Sequence, residues 1–136
     1  MPALFSLLLL DVRLRAWRYA FGWLLFASIL ILGSVPGARA EVGNYASGIV
    51  LHSLAYASVT LLLFTGSRGS ARACAIKSVL TVMAMGAADE LLQSQLPYRS
   101  GALADWAIDC NAAIFTAGLL WAWLGRRGRP AAATRE

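Results

Sequence analysis

Charge is what this chain has least of. Of its 136 residues 14% are charged and 59% hydrophobic, and the acids number only seven. A typical soluble domain carries about 25% charged residues, which clothe its surface in water. So thin a polar supply argues against a water-exposed globular domain, and the length leaves room for a single domain. Cysteine is also scarce. Cys74 and Cys110 form no CxxC motif, and with the lone His52 they give no zinc-ligand spacing. In the topology derived below they lie at different depths, beyond the roughly 7 Å between Cα atoms that a disulfide allows, so free thiols are expected. There is no internal repeat and no low-complexity segment. The net charge of +5 comes from short basic groups beside apolar stretches. No basic run alternates with aromatics, so no nucleic-acid partner is expected.

What the chain does have is four long apolar stretches. Ala16–Gly33, Gly48–Thr65, Cys74–Leu96 and Leu103–Leu124 approach the roughly 20 residues that cross a bilayer as a helix. They predict an all-α integral membrane bundle of four transmembrane helices over residues 16–124. Residues 1–15 read as an interfacial, basic lead-in. Pro2–Leu10 is too short to span, and its arginines follow the apolar run instead of preceding it as in a signal peptide. Residues 125–136 read as a basic cytoplasmic tail, Gly125–Pro130 being a basic stop and Pro130–Glu136 a frayed end. Gly33-Ser34-Val35-Pro36-Gly37 stops the first span, Ala38–Ser47 reads as a polar loop, and Gly66–Ser70 as a turn. The short Pro97–Gly101 connection makes the third and fourth spans antiparallel neighbours. Tryptophans near the span ends suit an interfacial belt.

Orientation follows from lysine and arginine. With the N-terminus inside, Arg13, Arg15, Arg18, Arg68, Arg72, Lys77, Arg126, Arg127, Arg129 and Arg135 are cytoplasmic, and only Arg39 and Arg99 lie outside. That asymmetry predicts both termini in the cytoplasm of a multi-pass protein of the bacterial inner membrane.

Against this background the acids stand out. Asp89, Glu90, Asp105 and Asp109 fall within about two dozen residues, together with Gln93 and Arg99. Charges in an apolar bundle are costly and call for a role or a partner. The topology brings them to one depth: the end of span three, the first two turns of span four, and His52 one turn into span two. At about 1.5 Å per residue these positions share an outer band roughly 10 Å deep. Helical i, i+4 spacing puts His52 with Tyr56, Asp89 with Gln93, and Asp105 with Asp109 on common faces. Four carboxylates facing one guanidinium and one imidazole cannot all stay ionised without compensation. Either protons are held, which suits general acid/base work, or a divalent cation is bound, Mg²⁺ being suited to oxygen ligands and a phosphate-bearing substrate. The expected acid/base or cation-holding groups are His52, Asp89, Glu90 and Asp105. The expected substrate-contacting groups are Arg99, as a bidentate anion clamp, with Gln93, Asp109 and Tyr56.

Three pieces of the chain resemble the VanZ-like family of small bacterial membrane proteins. His52-Ser-Leu-Ala-Tyr56 is similar to its His-x-x-x-Tyr, Asp89-Glu90-Leu-Leu-Gln93 to its Asp-Glu-x-x-Gln, and Pro97-Tyr-Arg99-Ser-Gly-Ala-Leu-Ala-Asp105 to its Pro-Gly-Arg-Ser segment leading to an Asp. Ser34-Val-Pro36 resembles a Ser-x-Pro found there, and the likeness covers residues 16–124. Two departures are Tyr98 in place of the usual Gly, and Asp109 where relatives commonly carry Asn, followed by Ala112 where a Gly often follows. The resemblance implies a cell-envelope role, the founding member being associated with low-level teicoplanin resistance. It supplies a setting and no reaction.

Three readings remain open. One is a site acting on or binding an envelope precursor, such as a lipid-linked phosphate, glycan or peptidoglycan fragment. The second is a non-enzymatic envelope protein whose polar layer fixes the bundle or docks a membrane partner protein. The third, a small transporter, is disfavoured because the inner halves of the spans carry no acid.

Overall fold

The computed structural model describes residues 9–99 and 101–127. Most of the lead-in and the tail beyond residue 127 lie outside the described residues. After a 3-10 turn at Val12–Leu14, five helices follow: α1 (Arg15–Gly33), α2 (Ala38–Gly43), α3 (Gly48–Gly66), α4 (Ala71–Ser94) and α5 (Leu103–Arg127). No strand occurs among the described residues. Four helices are long and apolar enough to cross a membrane, and they coincide with the four expected spans to within a few residues. The expected polar loop Ala38–Ser47 is corrected in part, because the six-residue α2 forms within it.

The helix starts follow from local chemistry. Ser47 caps α3 by accepting the Val50 N–H, and Ser70 caps α4 by accepting that of Ala73. Hydroxyls inside the spans are satisfied locally: Thr60 donates to the Tyr56 carbonyl, Thr65 to Leu61 and Ser58 to Leu54. An apolar solvent offers them no other partner.

Helix α3 is the centre of the bundle, packing against α1, α4 and α5, while α1 meets the rest chiefly through α3. The surface is apolar in a way that a soluble protein's is not, and several charges are buried. Leu24, Ile31, Leu54, Leu80, Leu91 and Phe115 face outward, whereas Arg18, Asp89, Glu90 and Asp109 are buried. Such an arrangement is stable when lipid covers the outside. Phe26, Tyr56, Val59, Leu63, Val82, Met85 and Ala113 form the central core; Phe64, Cys74 and Ala117 continue it toward the α3 C-terminus. Both thiols are free, Cys74 buried and Cys110 partly so.

Arg18 closes that end. Its Nη2 donates to the Thr65 carbonyl at 3.0 Å and to the Asp11 carbonyl at 3.0 Å, and its Nε donates to Thr65 at 3.2 Å. A cation on the last carbonyls of a helix also matches the negative end of its dipole. Arg18→Ala is therefore expected to cost about 1.5–3 kcal/mol, the worth of a hydrogen bond to a charged group. A thermal melt of the detergent-solubilised protein checks this, with Arg18→Lys expected to lie between wild type and Ala.

Candidate functional site

The opposite end of the bundle gathers the polar residues, on three helices. From α3, His52 is the fifth residue of the helix and Tyr56 lies one turn deeper. Near the end of α4 are Asp89, Glu90 and Gln93. The first two turns of α5 carry Asp105 and Asp109. Arg99 reaches in from the connection between α4 and α5.

His52 joins the helices. Its Nδ1 is 2.9 Å from Asp109 Oδ1, and its Nε2 is 3.8 Å from Asp105 Oδ2. Its ring stacks on that of Tyr56, the centroids 6.1 Å apart. Tyr56 is fully buried and donates from its hydroxyl to Asp89 Oδ2 at 2.9 Å. Gln93 Nε2 donates to the other oxygen, Asp89 Oδ1, at 2.8 Å. Arg99 Nη2 donates in turn to Gln93 Oε1. A chain of donors thus runs from the α4–α5 connection to the bundle centre. Gln93 is the link in it, and Tyr56 is the second donor to Asp89.

The carboxylates differ in how far they are satisfied. Asp89 has one donor on each oxygen. Glu90 accepts the Ala102 N–H on Oε2 at 2.5 Å, and its Oε1 is buried with no hydrogen-bond partner. Asp109 is fully buried, its Oδ1 against His52 and its Oδ2 without a hydrogen-bond partner. Buried polar atoms left in this way are rare and expensive. One atom from each of His52, Glu90 and Asp109 lies within 4.8 Å of the others, a spacing from which, among the described residues, a metal ion could be held.

Two further residues shape the site. Trp106 Nε1 donates to the Met83 carbonyl at 3.0 Å, joining α5 to α4. Across from it, a Cβ added to Gly86 would meet Asp109 Oδ2 at 3.1 Å and Trp106 Cδ1 at 3.1 Å. The absence of a side chain at 86 lets the Asp109 carboxylate lie against α4. Neither role has a signature in spacing or composition.

Beside the polar layer is a cavity of about 320 Å³ between α1 and α3, with α2 at its lip. Ile29, Leu32, Val42, Leu51 and Ala55 make its apolar wall; His52, Tyr56, Asp89, Gln93 and Arg99 line its polar part. Arg99 Nε is buried and has no hydrogen-bond partner. A second cavity lies at the Arg18 end, lined by Arg13, Arg15, Arg68 and Lys77 among others.

All eight residues singled out from the sequence thus meet at one end of the bundle. Asp105 is the more peripheral of the two α5 acids, and Asp109 the buried one. No family model, no curated protein and no solved structure matches the chain.

Proposed function

We propose that this is a VanZ-like protein of the bacterial inner membrane, its termini cytoplasmic and its polar site near the outer face, that binds an envelope precursor carrying a lipid-linked phosphate. One observation carries the reading: an apolar groove ends on a guanidinium with a buried, unused donor, Arg99 Nε. A groove with an apolar wall and a cationic end fits an amphiphile, its chain along Ile29, Leu32 and Leu51 and its anionic head at Arg99. His52, which lines the groove next to that head, is the first acid/base candidate, and Glu90 on the neighbouring helix is the second. Asp89 is the weaker one, because both of its oxygens are already engaged by Tyr56 and Gln93. The resemblance in sequence adds the envelope setting and the link to glycopeptide resistance.

Binding of a long-chain isoprenyl phosphate to the full chain in nanodiscs tests this, with the corresponding isoprenyl alcohol as control. The phosphate is expected to bind at least about tenfold tighter than the alcohol, the worth of one charge-assisted contact. Arg99→Ala is expected to erase that preference while leaving the melting temperature nearly unchanged. Equal binding of phosphate and alcohol by the wild type sinks the reading.

A second reading is favoured by the Tyr56–Asp89–Gln93–Arg99 chain, which is what a purely structural interhelical network looks like. On that reading Arg99→Ala lowers the melting temperature, and the wild type shows no preference for the phosphate.

A further inference from the structure

We infer that His52, Glu90 and Asp109 form a site for one first-row divalent cation of the Zn²⁺ or Mn²⁺ class. Two carboxylate oxygens in this layer are left unspent. Among four clustered acids, Asp89 has both oxygens engaged by donors. Glu90 Oε1 and Asp109 Oδ2 are each buried without a hydrogen-bond partner, on side chains 9% and 0% exposed. Their side chains come from different helices, α4 and α5, and each places one carboxylate oxygen within 4.8 Å of the other and of an imidazole nitrogen from a third. Packing alone does not require two incompletely satisfied carboxylates to face one histidine. A shared cation satisfies all three groups at once.

Charge and distance agree with this. Glu90 and Asp109 as carboxylates bring two negative charges, and a neutral imidazole brings none, so a divalent ion balances the set. The 2.9 Å between His52 Nδ1 and Asp109 Oδ1 is hydrogen-bond length. It is also close to the separation of two neighbouring ligands each about 2.1 Å from one ion. The remaining ligand atoms, all within 4.8 Å, need only a small inward movement.

The donor set selects the metal. Oxygen-only sites suit Mg²⁺ and Ca²⁺, whereas an imidazole nitrogen with two carboxylates suits Zn²⁺, Mn²⁺ or Fe²⁺. Three protein ligands also leave a coordination position open, as in catalytic sites and not in closed structural ones. His52 lines the apolar groove as well, so an ion held by it would lie near the space where a ligand head would sit. The cation shares this end of the bundle with the proposed precursor site. Its binding is measured with no lipid ligand present, so its failure would leave the precursor reading standing.

The test uses the full chain, purified in detergent and freed of metal with a chelator, then titrated with Zn²⁺ and, separately, Mn²⁺ with excess Mg²⁺ present. One ion per chain is expected, bound at least 100-fold tighter than Mg²⁺, with a raised melting temperature. Glu90→Gln and Asp109→Asn are each expected to weaken binding at least tenfold; Asp11→Asn, at the opposite end of the bundle, is expected to weaken it less than threefold. X-ray absorption of the Zn²⁺ form should show one imidazole among light-atom ligands. The inference is overturned if the wild type takes up no stoichiometric ion, if Mg²⁺ competes on equal terms, or if the imidazole signature is missing. The wild-type arms decide the matter even where a variant fails to fold.

Discussion

Gly66→Val is expected to detach α1 from the rest of the bundle. A Cβ at position 66 would lie 2.6 Å from the Tyr19 backbone nitrogen and 2.8 Å from its Cα. Those are backbone atoms, so no side-chain rotation relieves the clash. The helices must move apart, at a cost of about 3 kcal/mol or more, the upper range for overpacking. The damage is directional, because α1 is held chiefly by α3 and packs little against α4. Separation also pulls Arg18 away from the Thr65 carbonyl and opens the groove wall made by Ile29 and Leu32. His52, Glu90 and Asp109 lie on α3, α4 and α5, and that contact does not involve α1. The variant should therefore melt earlier and lose amphiphile binding while retaining its affinity for a cation. Melting, lipid binding and metal titration on one preparation check all three. A variant with a wild-type melt shows that the Tyr19–Gly66 contact is dispensable.

Asp89→Ala is expected to be the most damaging change within the polar layer. It leaves the Tyr56 hydroxyl and the Gln93 amide, both buried, with no acceptor. Each stranded donor costs about 1–3 kcal/mol, and a cavity adds to that. Gln93 would also be free to rotate away from Arg99. Asp89→Asn keeps an acceptor for one of the two donors and should recover about half of the loss. Thermal melts of both variants beside Tyr56→Phe separate the contributions. Tyr56→Phe removes a single donor and should cost less than Asp89→Ala; the reverse order would show that Asp89 is not the hub of the chain.

Much of this arrangement is legible in the sequence. The four apolar stretches predict the four long helices because a bilayer imposes a length as well as a composition. The shared depth of His52, Glu90 and Asp109 follows from rise per residue and antiparallel order, and the structure brings them together. Which acid is satisfied and which is not was illegible. Asp89 and Glu90 are adjacent, and only the rotation of α4 sends one toward Tyr56 and the other toward the Ala102 N–H. The groove escaped too, since Ile29, Leu32 and Leu51 have the same composition as residues facing lipid. Gly86, Gly66 and Trp106 act through interhelical contacts that no spacing along one helix encodes.

The lopsided interior has an electrical consequence. His52 lies four residues into α3, about 6 Å along the helix from its start. In a hydrocarbon layer of about 30 Å, an ion at that depth has crossed roughly one fifth of the insulating thickness. The packed layer of Val59, Leu63, Phe64, Val82 and Ala117 fills much of the remainder and sustains most of the voltage drop. A full crossing is worth about 2.3 kcal/mol per unit charge at 100 mV, so occupancy of the site changes by only about 0.5 kcal/mol per charge. Occupancy of the site therefore follows mainly the chemistry of the adjacent aqueous compartment, a membrane potential of 100 mV shifting the affinity for a divalent cation only about fivefold.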